Sequence, residues 1–300
     1  MRPDGLGGVI APLATPFDAV TGELAPVPLR QAARALLAAG LDGFVSAGST
    51  GEGELLDEQE KVQLVEWLRD VVPEDKWLIA GAGAESTRAA IRAAQAAGSA
   101  GADAVLVRPP SYFSSLLSPS AVAYHYARVA DASPVPVVIY NIPKFAHVTI
   151  QDGVLRAVAD HENIVGFKDS SGDLKNFAAF RAAAPRFTAL MGSGHLFYPA
   201  LELGAAGGIL AVACFAAETC AQLFRAFREE DRQRSGHLQE RLVPIARDVV
   251  GALGPAGTKA AMELVGLPCG PVRAPLVGLD ARQLARVRDL LSAAGLAAAA

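Results

Sequence analysis

The stretch NIVGFKDSSGD (Asn163–Asp173) runs from an apolar segment typical of the inside of a sheet directly into Lys168. Lysine is almost never fully buried without a partner, so a lysine at the end of a buried strand either reaches water or is kept for chemistry. The fold around this strand therefore decides which part Lys168 plays.

The chain contains eight short apolar runs rich in β-branched residues, of which this is the sixth. In order they are GGVIAPLATPF, GFVSAGST, WLIAGAG, ADAVLVRPP, VPVVIYNIP, IVGFKDSS, FTALMGS and GGILAVAC. Alanine-rich segments with helical periodicity separate most of them. Strands buried on both faces read as continuous apolar runs, and alternation with helices indicates parallel strands joined by crossovers. Eight such units favour a closed barrel over an open doubly wound sheet.

The predicted fold class is therefore α/β, a (β/α)8 TIM barrel with an added C-terminal helical region. We assign residues 1–225 to the catalytic barrel. Residues 226–300 contain more helix than a barrel needs and are expected to form a helical region packed on it.

Composition and charge narrow the classes of partner. A formal net charge of -4 and a pI near 5.8 argue against nucleic-acid and acidic-membrane partners, which call for clustered Lys and Arg. Three cysteines without a CxxC pair suggest neither a disulfide framework nor a zinc site, and the five histidines show no HxxxH spacing. Without a signal h-region or an apolar run long enough for a membrane span, we expect a cytoplasmic enzyme that acts on small molecules.

Polar residues follow several of the strands, at the end of a barrel where active sites lie. These segments are GSTGE (Gly48–Glu52), RPPSYF (Arg108–Phe113), YNIP (Tyr140–Pro143), KDSS (Lys168–Ser171) and GSG (Gly192–Gly194). One lysine, two tyrosines and several hydroxyl groups are therefore expected to converge on one rim. His195, which follows the GSG turn, is expected on the surface.

A lysine in an apolar barrel mouth has its charged form disfavoured by desolvation, so part of it is a free amine near neutral pH. Such an amine attacks carbonyl carbons. The resulting Schiff base withdraws electrons, so that a carbon–carbon bond β to the iminium can be broken, or a proton there removed, without metal or cofactor. Tyr140, at the neighbouring strand end, is placed to move protons to and from the carbinolamine. The alternatives are that Lys168 reaches solvent or pairs with Asp169, and that Tyr140 is a structural tyrosine.

The GSTGE segment is expected to present backbone N–H groups and hydroxyls to a carboxylate, and a plain helix cap is the alternative. Two other glycine-containing segments resemble nucleotide- or phosphate-binding loops only superficially. GAGAES lacks the third glycine of a dinucleotide fingerprint, and GPAGTK (Gly254–Lys259) has its last two residues in the wrong order for a phosphate loop. We predict that both of the latter are turns.

With these motifs in place, the sequence resembles the dihydrodipicolinate synthase and N-acetylneuraminate lyase family of class I aldolases. GSTGE, YNIP and GFKDSSGD occur in the order and spacing of that family, and the resemblance extends over Val9–Leu279. It implies a (β/α)8 barrel with a C-terminal helical region, usually a homotetramer built as a dimer of dimers. It also implies a lyase that needs no cofactor and acts on pyruvate or pyruvate-derived 2-oxo acids.

The resemblance assigns roles to individual residues. It implies that Lys168 is the Schiff-base lysine, that Tyr140 shuttles protons, and that Ser49 and Thr50 bind the substrate carboxylate and hand protons on. Tyr112 matches the tyrosine that family members insert into the site of a neighbouring subunit.

Further positions are implied to contact the substrate or to set specificity. Ser170 is a substrate-contacting hydroxyl, and Gly192 and Leu210 offer backbone near the substrate. Phe145 stands where the synthase proper carries an arginine for the carboxylate of its second substrate. Lys144, one residue earlier, is a possible substitute but is expected to face another way.

The likeness is greatest to 4-hydroxy-2-oxoglutarate aldolase, through IAGAGAEST, ADASPVPVVIYNIP, NIVGFKDSSGD and PCGPVRAPL, although Thr50 and Asn141 differ from its pattern. The expected reaction is aldol cleavage or formation on a 4-hydroxy-2-oxoglutarate-like or 2-keto-3-deoxy sugar acid substrate. The alternatives are a dihydrodipicolinate synthase and a catalytically silent protein that binds a 2-oxo acid.

Overall fold

The structure is a computed structural model and describes residues 5–296. Its centre is a closed barrel of eight parallel strands in sequence order, in which the last strand pairs with the first. The strands are β1 (Gly8–Pro12), β2 (Gly43–Ser46), β3 (Trp77–Gly81), β4 (Ala104–Val107), β5 (Val137–Asn141), β6 (Ile164–Asp169), β7 (Thr188–Met191) and β8 (Gly207–Ile209). Each lies within one of the eight apolar runs, so the predicted (β/α)8 barrel is confirmed.

Helices surround the barrel and continue beyond its last strand. They are α1 (Pro26–Ala38), α2 (Glu58–Arg69), α3 (Thr87–Ser99), α4 (Pro119–Ala132), α5 (Pro143–Ala146), α6 (Asp152–Val158), α7 (Leu174–Ala183), α8 (Phe197–Glu202), α9 (Ala217–Arg228), α10 (Arg232–Pro244), α11 (Ala252–Leu264) and α12 (Ala281–Ala293). Local sequence sets several starts: Asp57 and Glu60 form a capping box at α2, and Asp280 and Gln283 form another at α12.

Two apolar layers follow from the alternation of side chains along each strand. One layer fills the barrel interior and includes Ile79, Val138 and Leu190. The other packs between strands and helices and includes Ile139 and Phe167. Because Tyr140 is two residues from Val138 and pairs in register with Lys168, both side chains lie on the inner face of the barrel.

The C-terminal helices pack against the end of the barrel where the strands terminate. A π-helical turn, Ile245–Gly251, joins α10 to α11 without a loop. The Gln239 side chain of α10 donates to the Gly194 carbonyl at 3.0 Å and accepts from the Tyr198 amide at 2.7 Å. These bonds fix α10 to the segment after β7. Within residues 5–296, no helix is long and apolar enough to cross a membrane.

Candidate active site

A cavity of about 260 Å³ opens at the C-terminal ends of the strands. Its floor is formed by side chains of β5, β6 and β8, and one side is formed by the π-helical turn. The residues that line it are Pro12, Ser49, Thr50, Tyr140, Ile142, Lys144, Phe145, Lys168, Ser170, Ser171, Gly172, Gly192, Ser193, Gly194, His195, Ile209, Ala211, Val212, Ala246, Val250 and Gly251. The structure thus brings together most of the residues singled out from the sequence.

Lys168 lies at the base of this cavity with only 4% of its surface exposed. Its Nζ is 4.2 Å from the centroid of the Tyr140 ring, so the amine lies over the aromatic face. Among the described residues, no carboxylate forms a salt bridge with it. A buried amine without an anionic partner is therefore available to a ligand in the cavity.

The neighbouring carboxylate of Asp169 has other partners, because adjacent residues of a strand point to opposite faces. It accepts from Asn141 Nδ2 at 2.8 Å, from Ser171 Oγ at 2.9 Å and from Asn176 Nδ2 at 3.1 Å. The alternative in which Lys168 pairs with Asp169 is therefore wrong. Asp169 instead ties the ends of β5 and β6 to the start of α7.

Hydroxyl groups lie beside the amine. The Tyr140 hydroxyl and Ser49 Oγ are 3.4 Å apart, and Thr50 lines the same cavity. The loop that carries Ser49 and Thr50 is fixed by a hydrogen bond of 2.6 Å from Thr15 Oγ1 to the Gly51 carbonyl. The amine thus lies over the ring of the phenol, and the phenol hydroxyl is within hydrogen-bond distance of the loop hydroxyl.

The same loop is anchored by a buried ion pair that the sequence did not reveal. Glu52 has a left-handed backbone, with φ of 55°, and its Oε1 lies 2.6 Å from Lys259 Nζ. Its Oε2 accepts from the Arg273 amide at 2.8 Å. Burial lowers the pKa of Lys259, against the opposing effects of Cys269 and Glu52.

Lys259 belongs to α11, so the prediction that GPAGTK is a turn is wrong. Only Gly254, with φ of 58°, departs from helical backbone in that segment. The positive φ, which glycine adopts without strain, allows the helix axis to bend while the chain continues into α11. The bend leaves the buried Lys259 facing Glu52.

Two residues on the rim are placed differently from the expectation. Lys144 lines the cavity rather than facing away, because Pro143–Ala146 is a helical turn in which the alternation rule of strands does not apply. His195, expected on the surface, is partly buried and lines the cavity. Burial, together with the charge of Arg247, lowers the pKa of His195.

The remaining candidates fall into two groups. Ser170, Gly192 and Phe145 line the cavity, and Phe145 is about half exposed there. Leu210 is fully buried outside the lining, although its amide donates to the Ile10 carbonyl of β1 at 2.9 Å. Tyr112 is 80% exposed and does not line the cavity of its own chain.

Glycine at position 192 is dictated by close packing. A Cβ built there would lie 1.9 Å from Ser170 Oγ and 3.0 Å from Lys168 Cε. A side chain at this position would displace the Ser170 hydroxyl and press against the lysine stem. Nowhere in residues 5–296 do three or more His, Cys, Asp or Glu side chains form a group that could hold a metal ion.

Comparisons with known proteins find relatives that match nearly the whole chain. The model of the dihydrodipicolinate synthetase family matches residues 5–294. An uncharacterized DapA-like lyase of Halobacterium salinarum is 37% identical over 98% of this chain and 96% of its own. A 4-hydroxy-tetrahydrodipicolinate synthase of Methanothrix thermoacetophila is 32% identical over 95% of this chain and 96% of its own.

Solved structures show the same similarity. YagE of E. coli K12, a prophage protein of the dihydrodipicolinic acid synthase family solved in complex with pyruvate, superposes with a TM-score of 0.92. Its sequence is 27% identical, and the match covers 97% of this chain and 99% of that protein. The sequence and the fold thus both match the same family.

Proposed function

The chain belongs to the dihydrodipicolinate synthetase family and is a class I lyase, and from this premise we propose that Lys168 forms an iminium with pyruvate or another 2-oxo acid. The enzyme then makes or breaks an aldol carbon–carbon bond. The observation that carries the proposal is the buried Lys168 amine, which has no carboxylate partner among the described residues and lies 4.2 Å from the Tyr140 ring centroid.

The proposed chemistry begins with attack of the Lys168 amine on the C2 carbonyl carbon of the acid. Loss of water gives the iminium, and Tyr140 moves the protons that the carbinolamine gains and loses. Ser49 and Thr50 hold the C1 carboxylate through their hydroxyls and backbone. The hydrogen bond between Ser49 and Tyr140 passes protons between the loop hydroxyl and the phenol.

In the cleavage direction, the proton of the C4 hydroxyl is removed and the C3–C4 bond breaks. Its electron pair moves into the iminium to give an enamine, and the aldehyde leaves. Protonation of the enamine at C3 and hydrolysis release pyruvate and restore Lys168. We propose a 4-hydroxy-2-oxoglutarate-like or 2-keto-3-deoxy sugar acid as the substrate.

The second candidate is a 4-hydroxy-tetrahydrodipicolinate synthase, the activity for which the relative from Methanothrix thermoacetophila is named. Phe145 counts against it, because the aromatic ring stands where that reaction calls for an arginine. A catalytically silent binder is the third, and the retained amine, phenol and hydroxyls count against it.

We further propose that Tyr112 completes the cavity of a neighbouring subunit in a homotetramer. The segment after β4 exposes Tyr112, Phe113 and Leu116 by 63–80%, which is an apolar surface of the kind that subunit contacts cover. Sedimentation of the purified protein tests the assembly. A Tyr112→Ala variant that stays assembled and loses turnover supports the role in a neighbouring site.

The experiment that tests the proposed function is reductive trapping. The protein is incubated with pyruvate and borohydride, digested, and searched by mass spectrometry for a modified lysine. We expect the adduct on Lys168, none in Lys168→Ala, and an unchanged yield in Lys175→Met, which removes an exposed lysine outside the cavity. A folded protein without an adduct on Lys168, or a Lys168→Ala variant with full turnover, overturns the proposal.

A further inference from the structure

We infer that Lys144 forms an anion subsite in this cavity, so that the enzyme takes 2-oxo acids whose far end carries a second negative charge. The inference rests on the proposed function, because it assumes that the near end of the acid is attached to Lys168. It narrows the substrate class from any 2-oxo acid to 2-oxo dicarboxylates and their hydroxylated forms.

The first observation is the charge of the cavity wall. Of the residues that the structure places on the lining, Lys144, Lys168 and His195 have basic side chains, and none has a carboxylate. The exposed Arg247 adds its charge beside His195. A pocket lined by one sign of charge attracts ligands of the opposite sign. The iminium at Lys168 and the Lys144 ammonium carry two positive charges, which two carboxylates of the substrate balance and one does not.

The second observation is the state of the Lys144 ammonium. It donates a hydrogen bond to the Gly251 carbonyl at the end of the π-helical turn, and it lies 5.3 Å from the centroid of the Phe145 ring. Among residues 5–296, no carboxylate forms a salt bridge with it. An ammonium has three donors, and the Gly251 carbonyl uses one of them. The others remain for a ligand.

The third observation is the scarcity of groups that recognise a polyol. Sugar hydroxyls are held by carboxylate and amide side chains that accept hydrogen bonds, and among the described residues none lines this cavity. Its polar side chains are the basic groups, the Tyr140 phenol and small hydroxyls. Of the two substrate classes proposed above, the cavity therefore fits the dicarboxylate better than the sugar acid.

The test compares two acids of equal chain length that differ in one terminal group, 2-oxoglutarate and 2-oxopentanoate. Each is trapped on Lys168 with borohydride over a range of concentrations, and the half-saturating concentration is read from the adduct yield. For the unmodified protein we expect 2-oxoglutarate to half-saturate at a concentration about fivefold lower, as for an ion pair with an exposed lysine.

Variants of Lys144 show whether this side chain causes the preference for 2-oxoglutarate. We expect Lys144→Met to bring the two half-saturating concentrations to within about twofold of each other, and Lys144→Arg to preserve the preference because it keeps the charge. Lys175→Met, the matched exposed lysine outside the cavity, is expected to behave as the unmodified protein does. Continued trapping of 2-oxopentanoate by Lys144→Met shows that this variant is folded.

The outcomes separate the two proposals. If neither of these acids nor pyruvate gives an adduct on Lys168, the proposed function fails and the anion subsite falls with it. If pyruvate alone gives the adduct, the Schiff-base proposal stands and the anion subsite is overturned. If both acids give the adduct but the preference is absent, or persists in Lys144→Met, the Schiff-base proposal stands and the anion subsite is overturned.

Discussion

Replacement of Lys259 by methionine tests how the loop Gly48–Glu52 is held in place. This is the loop that we propose to bind the substrate carboxylate. Lys259 and Glu52 form an ion pair at 2.6 Å in which the side chains are 3% and 0% exposed. The substitution removes the cation and leaves the Glu52 carboxylate buried without its partner. Breaking one side of such a pair costs about 3–5 kcal/mol, which is a large part of the stability of an ordinary domain.

The position of Glu52 also links loss of the ion pair to substrate binding. Glu52 has a positive φ, a conformation that a residue other than glycine keeps only when its surroundings enforce it. It comes two residues after Thr50 in the loop that we propose to bind the substrate carboxylate. We therefore expect Lys259→Met to raise the KM for the 2-oxo acid as well as to lower the free energy of unfolding.

Urea denaturation gives the free energy of unfolding, and KM is measured well below the unfolding midpoint. The double variant Glu52→Gln with Lys259→Met removes both charges and is expected to be at least about 1 kcal/mol more stable than Lys259→Met alone, since no charge is left unpaired. A loss below about 1 kcal/mol in Lys259→Met, or a double variant that is less stable than the single one, refutes the reasoning.

Three further predictions concern other residues. Burial, with a smaller effect of Arg108, lowers the pKa of His125 to about 4. Below pH 6.5 the unfolded chain therefore binds a proton that the native state does not, and urea melts should show stability falling by up to about 1.4 kcal/mol per pH unit between pH 6.5 and 4, a slope that His125→Gln reduces. Gly192→Ala should reduce adduct formation at Lys168 by about tenfold or more, because the new methyl group overlaps Ser170 and presses on the lysine stem, and trapping with pyruvate measures it. The unmodified protein should condense pyruvate with aspartate semialdehyde poorly, and Phe145→Arg should improve the rate, which a coupled assay for the condensation product checks.

The sequence was a good guide to the barrel, for a physical reason. Strands covered on both faces are apolar throughout, so each of the eight runs stood out from the amphipathic helices between them. The inward position of Lys168 followed as well, since strand alternation and the barrel architecture leave little freedom at a strand end. Local pattern and tertiary structure agree wherever the backbone is a regular strand.

The expectations that failed lie where the backbone leaves the strand. Lys144 was expected to face away by strand alternation, but Pro143 begins a helical turn and that turn brings the side chain to the cavity. His195 lines the cavity because it lies in a short 3-10 helix, Gly194–Leu196, packed under α10. Periodicity cannot reveal such positions, because they depend on which later segment covers the turn.

The Glu52–Lys259 pair is a stronger example of a contact that sequence periodicity cannot reveal. The GSTGE sequence predicts a loop with substrate-binding hydroxyls and gives its glutamate no role, while the GPAGTK sequence predicts a turn. Neither segment signals the other, since the pair exists only after the C-terminal helices have packed on the barrel. A lysine within the apolar stretch of a helix was the one available sign of a buried partner.

The C-terminal helices therefore contribute contacts that hold the residues around the cavity in place. The Gly251 carbonyl positions the Lys144 ammonium, Lys259 holds the carboxylate loop through Glu52, and Gln239 fixes the Gly194 turn beside His195. Each contact reaches a different strand end from a later segment of the chain. On our proposals, the barrel supplies the reactive amine, and contacts from the helices that follow it select the acids that bind there.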